Sequence, residues 1–141
     1  MGLNLIKILI PKKQTIRKLT TYVPKNDAAN LLDKLYEAGA GAIGNYDECS
    51  FSSLGKGSFK GNQNSNPSLG EKGKRTEVDE LQLNLIFELH AQQKILQALF
   101  EYHPYEEVAY EIYALENKNQ TIGMGSIGEI ENQMEEEDFL D

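Results

Sequence analysis

Residues 103–115 constrain the fold more than any other stretch, because they join a predicted helix to a predicted strand with no long loop between them. His103 precedes a proline, which disfavours the helical conformation for the residue before it, so a preceding helix must end here. The side chains that follow alternate with a strand's period of two, with Val108, Tyr110, Ile112 and Ala114 on one face and Ala109, Glu111, Tyr113 and Leu115 on the other. Half of these eight residues are β-branched or aromatic, as is typical of strands.

A strand and a helix are predicted early in the chain. Residues 17–24 alternate and end at a proline, as expected for a first core strand. Asn26 or Asp27 can then cap a helix, because a short polar side chain accepts from the free amides of the first turn. The apolar stripe of this helix consists of Ala28, Leu31, Leu32, Leu35 and Ala38. Gly39 and Gly41 can take the left-handed conformation that commonly ends a helix.

The middle of the chain predicts extended structure broken by glycines. One strand is expected from Tyr46 to Phe51, and a turn at residues 55–57 would lead into a second. Residues 61–73 are rich in Asn, Ser, Pro and Gly, so they form a predicted loop. A loop of this length in a compact domain is either mobile or functional, and composition does not choose between the two.

A second strand–helix pair follows this loop. Residues 80–90 alternate, and their apolar face consists of Leu81, Leu83, Leu85, Phe87 and Leu89. Residues 91–102 predict a helix that runs into the strand of the opening paragraph. The order βαββαβ predicts an α+β, ferredoxin-like domain with two helices on one face of an antiparallel sheet. The other face keeps Tyr and Thr residues, and we expect self-association to bury it.

The length allows one domain, or one domain plus arms, and the resemblance described below implies a domain at residues 17–117 between arms at residues 1–16 and 118–141. The apolar run at residues 3–10, a short strand or extended arm, resembles something cut from a larger sheet, and both ends look severed, which predicts a module of a longer protein. Residues 119–141 carry seven acidic residues and no Lys or Arg, and so nearly all of the net charge of −8. A near-neutral body with an acidic arm lacks the basic surface that binds phosphates, which argues against nucleic-acid binding.

The length of the apolar runs and the number of cysteines indicate the compartment in which the protein is expected to work. No apolar run approaches the ~20 residues of a membrane-spanning helix, so no membrane partner is expected. The single cysteine, Cys49, excludes an internal disulfide and favours a reducing cytoplasm.

His103 with Glu106 and Glu107 is the cluster of this sequence that most resembles a metal site. The proline after His103 breaks helical facing, and a zinc site would need three or four ligands, which argues against a preformed centre. The alternative is that His103 bonds to backbone at the helix end while Tyr105 fills the core.

Cys49 and the glycine-rich residues 123–128 give only weak indications of a reactive or ligand-binding site. Cys49 lies beside Asp47 and Glu48, so it lacks the electropositive surroundings of a reactive thiol and is interpreted as a packing residue. Residues 123–128 match GxGxxG but open neither a complete helix nor a βαβ unit, so glycine-rich turn chemistry explains them better.

Three separated motifs resemble one family in the right order. They are GAGAIGNYDECSF at 39–51, NP at 66–67 with GEKG at 70–73, and HPYEEVAYEIY at 103–113. The chain is similar over residues 5–141 to the NGG-one-interacting-factor-three-like family, dinuclear-metal proteins also called type 2 GTP cyclohydrolase I homologues. The resemblance is to the inserted middle domain of bacterial members, which is similar to the PII signalling and CutA proteins.

This resemblance implies a ferredoxin-like domain that forms a homotrimer and caps a hexamer of the parent protein. The family's metal ligands are a histidine pair followed by proline, an aspartate, and a His and Glu near the C-terminus, and none has a counterpart here. We therefore expect no catalytic residue, metal ligand or cofactor in this chain, and a divalent-metal pair in the parent's other domain. The two arms would be the linkers to that domain.

Three hypotheses follow. The favoured one is an oligomerising, ligand-sensing accessory domain that is not catalytic alone. The second is a small-molecule or metal-binding module, with an unidentified ligand, whose cleft is formed by Asn45, Tyr46, Cys49, His103, Tyr105 and Glu106. The third is a self-contained enzyme that hydrolyses GTP, which the missing ligands disfavour.

Overall fold

The computed structural model describes residues 12–13 and 15–119 of the chain. The described strands and helices are β1 (Lys12–Lys13), β2 (Ile16–Pro24), α1 (Ala28–Glu37), β3 (Phe51–Lys60), β4 (Arg75–Glu88), α2 (Gln92–Tyr102), β5 (Tyr110–Ala114) and β6 (Lys118–Asn119). Single 3₁₀ turns, Lys25–Asp27 and Leu89–Ala91, precede the two α-helices. Most of the two predicted arms, including the GxGxxG match at 123–128, lies outside the described residues.

The chain divides into two compact units. The larger is Arg17–Tyr113, and the other takes residues from Ile16 backwards and from Ala114 onwards. Within the second unit β1 and β6 pair antiparallel, and the amide of Leu115 donates to the Ile16 carbonyl over 3.0 Å. That the arms are linkers to a parent domain stays a prediction.

The main sheet has four strands in the order β3-β4-β2-β5. Strands β3 and β4 form an antiparallel hairpin in which Phe51 lies opposite Asn84. Between β2 and β4, Thr20 bonds to Asn84 and Gln82 bonds to Tyr22, so the partners run in opposite directions and this pair is antiparallel too. The strand order and the two helices confirm the predicted α+β, ferredoxin-like fold.

One face of this sheet packs against α1 and α2 and forms the core. Its largest fully buried apolar side chains are Phe87, Leu19, Leu31, Leu35, Leu83, Leu85, Ile95, Leu99 and Val23. The alternation predicted in β4 and the stripe predicted in α1 are therefore confirmed at these positions. Leu89 is the exception, because the 3₁₀ turn ends the alternation and leaves it 42% exposed.

The predicted strand from Tyr46 to Phe51 is wrong for most of its length. Ile43 and Tyr46 exchange backbone hydrogen bonds of 2.8 and 2.9 Å across a tight turn, and the strand begins only at Phe51. Glu48 has a φ of 58°, which interrupts extended structure. The predicted turn at residues 55–57 is also wrong, because these residues stay paired with β4 inside one continuous strand.

The ends of α1 lie at the predicted residues, but the predicted side-chain hydrogen bond at its N-terminus does not form. Asp27 occupies the N-cap of α1, but its side chain makes no capping hydrogen bond, because a 3₁₀ turn already leads into the helix. Gly39, with a φ of 112°, follows the end of α1 as predicted.

Gly41→Ala should destabilise the domain by about 2 kcal/mol, and Gly44→Ala by about 1 kcal/mol. Both glycines have positive φ, so both variants carry backbone strain. A Cβ on Gly41 would also lie 2.7 Å from the Cys49 carbonyl oxygen, whereas a Cβ on Gly44 has nothing within 4 Å. Urea unfolding of the two variants measures the difference, and equal losses would contradict the packing argument.

Candidate functional site

A cleft of about 660 Å³ lies within the larger unit, between the β3–β4 hairpin, the loop joining these strands, and residues 105–109. Tyr22 of β2 and Glu80 of β4 also line it. Its volume falls in the range of small-molecule sites, which is roughly 300–1,000 Å³. The cleft combines aromatic and apolar side chains with amides, hydroxyls and carboxylates, the mixture that such sites use to orient a ligand.

Tyr105 is fixed in this cleft through both its ring and its hydroxyl. The phenol donates to Glu80 Oε2 over 2.8 Å, and the ring centre lies 5.9 Å from that of Phe59. Burial, and then the neighbouring Glu80 carboxylate, raise the pKa of the Tyr105 phenol above its ordinary value. Tyr105 is therefore a protonated donor at neutral pH. The prediction that it fills the core is wrong, because it lines the cleft and is only half-buried.

His103 lies directly behind Tyr105, with only 6% of its surface exposed. Its Nδ1 accepts from the Tyr105 backbone amide over 3.1 Å, so the ring proton is on Nε2, which donates to the Tyr22 carbonyl over 2.7 Å. Desolvation lowers the pKa of His103, and the hydrogen bond to Tyr22 opposes this only in part. The predicted backbone bonding of His103 is confirmed, with strand β2 as the partner.

Glu106 links the hairpin loop to the segment that precedes β5. Its Oε1 accepts from the Asn66 backbone amide over 2.7 Å, across 40 residues of sequence. Inside the loop, the Gly73 amide donates to the Gly61 carbonyl over 2.7 Å. The loop is thus held against Glu106 and forms one wall of the cleft.

The six predicted site residues fall into two separate groups. Tyr105 and Glu106 line the cleft with His103 buried behind Tyr105, whereas Asn45, Tyr46 and Cys49 lie in or beside the turn before β3. That turn is anchored by the Gly41 amide to the carbonyl of Ile86. Ile86 is six residues from Glu80 in the same strand, a separation of roughly 20 Å. Ligand binding by either group stays a prediction.

Sequence reasoning missed Phe59, Glu80 and Tyr22 as cleft residues. Glu80 stands at the polar start of the alternating strand, and the glycines nearby in β3 indicated an open space beside it. Neither signal tells which distant side chain meets Glu80, because this depends on how the hairpin packs against residues 105–109.

Two kinds of feature were not found among the described residues, a cluster of metal ligands and a membrane-spanning helix. No three His, Cys, Asp or Glu side chains among these residues are close enough together to hold a metal ion. No helix in the same residues is long and apolar enough to cross a membrane.

The comparisons with known proteins concern both sequence and fold. Over 140 residues the chain is 38% identical to the GTP cyclohydrolase 1 type 2 homolog of Halalkalibacterium halodurans, covering 99% of this chain but only 38% of that protein. The Bacillus cereus protein related to NIF3 superposes with a TM-score of 0.63 at 33% identity, covering 84% of this chain and 32% of that one. No protein-family model matches the chain.

A third comparison concerns the fold alone. The periplasmic divalent cation tolerance protein CutA of Archaeoglobus fulgidus has a TM-score of 0.53 and 13% identity, covering 85% of this chain and 99% of that protein. The fold of this chain is therefore a complete domain in that protein, while the curated relatives extend well beyond it.

Proposed function

Since the chain is a homologue of one part of the GTP cyclohydrolase 1 type 2 homologs, and that part has a CutA-like fold, we propose that it is their accessory, self-associating domain. It forms a homotrimer, placed within a hexamer of the longer protein, and is not catalytic alone. Any divalent-metal pair belongs, in this proposal, to the part of the relatives that the chain does not span.

The one-sided sheet is the observation that carries this proposal. The helices cover one face, and the other exposes polar and aromatic side chains, among them Tyr22, Gln82, Asn84, Glu111 and Tyr113. On edge strand β3, Phe51 lies opposite Asn84 of this face and is 70% exposed, and Leu54 lies opposite Leu81 on the helix side and is 60% exposed. An edge strand with exposed large apolar residues favours pairing with another chain, and a second copy supplies the matching edge.

Light scattering over a range of concentrations tests this proposal. We expect a mass of about three times the 15.8 kDa of one chain at micromolar concentration. Phe51→Glu and Leu54→Glu should each weaken assembly by about 2 kcal/mol or more per interface, because they place a charge within the desolvated contact that the proposal puts at this edge. A strict monomer at micromolar concentration would contradict the proposal.

Leu89→Glu is the matched control for these variants. Leu89 is also an exposed leucine, but it lies in the 3₁₀ turn that precedes helix α2. Its substitution should leave the measured mass unchanged. Loss of assembly in this variant as well would show that added charge, not the position of the residue, is responsible.

The cleft favours small-molecule binding as a second candidate function. It combines a suitable volume with the fixed phenol of Tyr105 and the carboxylates of Glu80 and Glu106. This function is compatible with the first, since a sensing domain can both assemble and bind a ligand.

A further inference from the structure

We infer that the cleft binds a small organic cation, an ammonium or guanidinium group on an apolar stem, with the Glu80 carboxylate as its counter-charge. This inference rests on the second candidate function, small-molecule binding, and names the class of ligand. Three features of the described residues carry it: the position of Glu80, the aromatic wall beside it, and the balance of charge around the cleft.

Glu80 is a positioned carboxylate without a cationic partner in the described structure. Its Oε2 accepts from the Tyr105 phenol over 2.8 Å, and its Oε1 lies where a side chain on Gly57 would have to be. The ion pairs found among the described residues do not include Glu80. The hydrogen-bond partner of its carboxylate is the neutral Tyr105 hydroxyl. A half-buried carboxylate with only a neutral partner carries a desolvation cost, which a cation in the cleft would offset.

The wall next to Glu80 suits a cation with an apolar stem. The rings of Phe59 and Tyr105 are tilted by 56° to one another, and both line the cleft. Aromatic faces attract ammonium and guanidinium groups through the ring quadrupole. Pro67 and Leu69 on the loop side provide apolar contact for a stem.

The charges that line the cleft disfavour an anion. Its two lysines are Lys56, whose Nζ lies 3.1 Å from Asp79 Oδ1, and Lys60. Against them stand three carboxylates, those of Glu80, Glu106 and Glu107. With Lys56 engaged by Asp79, negative charge is in excess, so the cleft attracts cations and repels anions.

Three aromatic probes of the same size test the inference on the unchanged chain: benzylammonium, benzyl alcohol and benzoate. Titrations followed by amide NMR report both affinity and location. We expect benzylammonium to shift the amides of Gly57 and Tyr105, and to bind about tenfold more tightly than benzyl alcohol. Glu80→Gln should lower the benzylammonium affinity by about tenfold. Glu77→Gln, an exposed position of the same strand outside the cleft lining, should leave that affinity unchanged.

The possible results separate the inference from the function on which it rests. Benzoate or benzyl alcohol binding in the cleft as tightly as benzylammonium would overturn the cation assignment and leave small-molecule binding intact. A full affinity for benzylammonium in Glu80→Gln would overturn Glu80 as the counter-charge. No shift of the lining amides by any of the three probes would overturn both. If the Glu80 variant fails to fold, the comparison of the three probes on the unchanged chain still shows whether the cleft prefers a cation.

Discussion

Replacing Phe87 by alanine is expected to lower the free energy of unfolding by about 3–5 kcal/mol. Phe87 is 1% exposed and is among the largest fully buried side chains of the described residues. It stands in the central part of the sheet, in β4, on the face that the two helices cover. Truncation removes the apolar area that holds this face against the helices and leaves a cavity, because a close-packed core collapses only in part.

Equilibrium unfolding in urea measures this loss, and Phe100→Ala is the matched control. Phe100 lies in α2, is 52% exposed, and contacts Tyr110 edge-on with ring centres 5.5 Å apart. Its truncation should cost no more than about 1.5 kcal/mol, the value of such an aromatic pair. Equal losses in the two variants would mean that Phe87 is not at the centre of the core.

The elements of this fold could be predicted because their signals are local. The period of two in β4 placed Leu83, Leu85 and Phe87 on the core side, and Pro104 fixed the end of α2 at Tyr102. These arguments need only neighbours in the sequence. The error at Tyr46 has the same origin, since alternation over a few residues does not reveal that Glu48 takes a left-handed conformation.

The cleft could be predicted only in part, because its contacts join distant segments. The Tyr105–Glu80 and Glu106–Asn66 hydrogen bonds span 25 and 40 residues. Polar residues at the ends of elements indicated His103, Tyr105 and Glu106, but equally indicated Asn45, which lies elsewhere. Local patterns identify a residue as polar and exposed, whereas the packing of the hairpin decides which of these residues share a cleft.

The packing of His103 also has a consequence for stability that depends on pH. Burial lowers its pKa in the folded chain below the ordinary value of 6.5. The unfolded chain therefore binds more protons between the lowered pKa and pH 6.5, so stability rises with pH in that window. The stabilisation is fully present above about pH 6.5 and is lost as the pH falls towards the folded pKa, by at most about 1.4 kcal/mol per pH unit.

Urea unfolding between about pH 5.5 and 8 measures this dependence, because carboxyl groups contribute little to it above about pH 5. The chain has two histidines, so His90→Gln is the matched control. The side chain of His90 is 78% exposed, and the pH dependence should survive its substitution. The pH dependence should disappear in His103→Gln. This variant should also have a free energy of unfolding about 2–4 kcal/mol lower at pH 8, because the substitution breaks or weakens the hydrogen bonds to the Tyr22 carbonyl and the Tyr105 amide.

The opposite result, with the pH dependence lost in His90→Gln and kept in His103→Gln, would contradict the assignment to His103.

Protonation of His103 should also affect the cleft. A protonated His103 can no longer accept from the Tyr105 amide, so the segment that carries the Tyr105 phenol and Glu106 loses an anchor. Since Tyr105 in turn fixes Glu80, acidification should loosen the cleft wall before the core unfolds, with amide exchange at Tyr105 and Asn66 rising first.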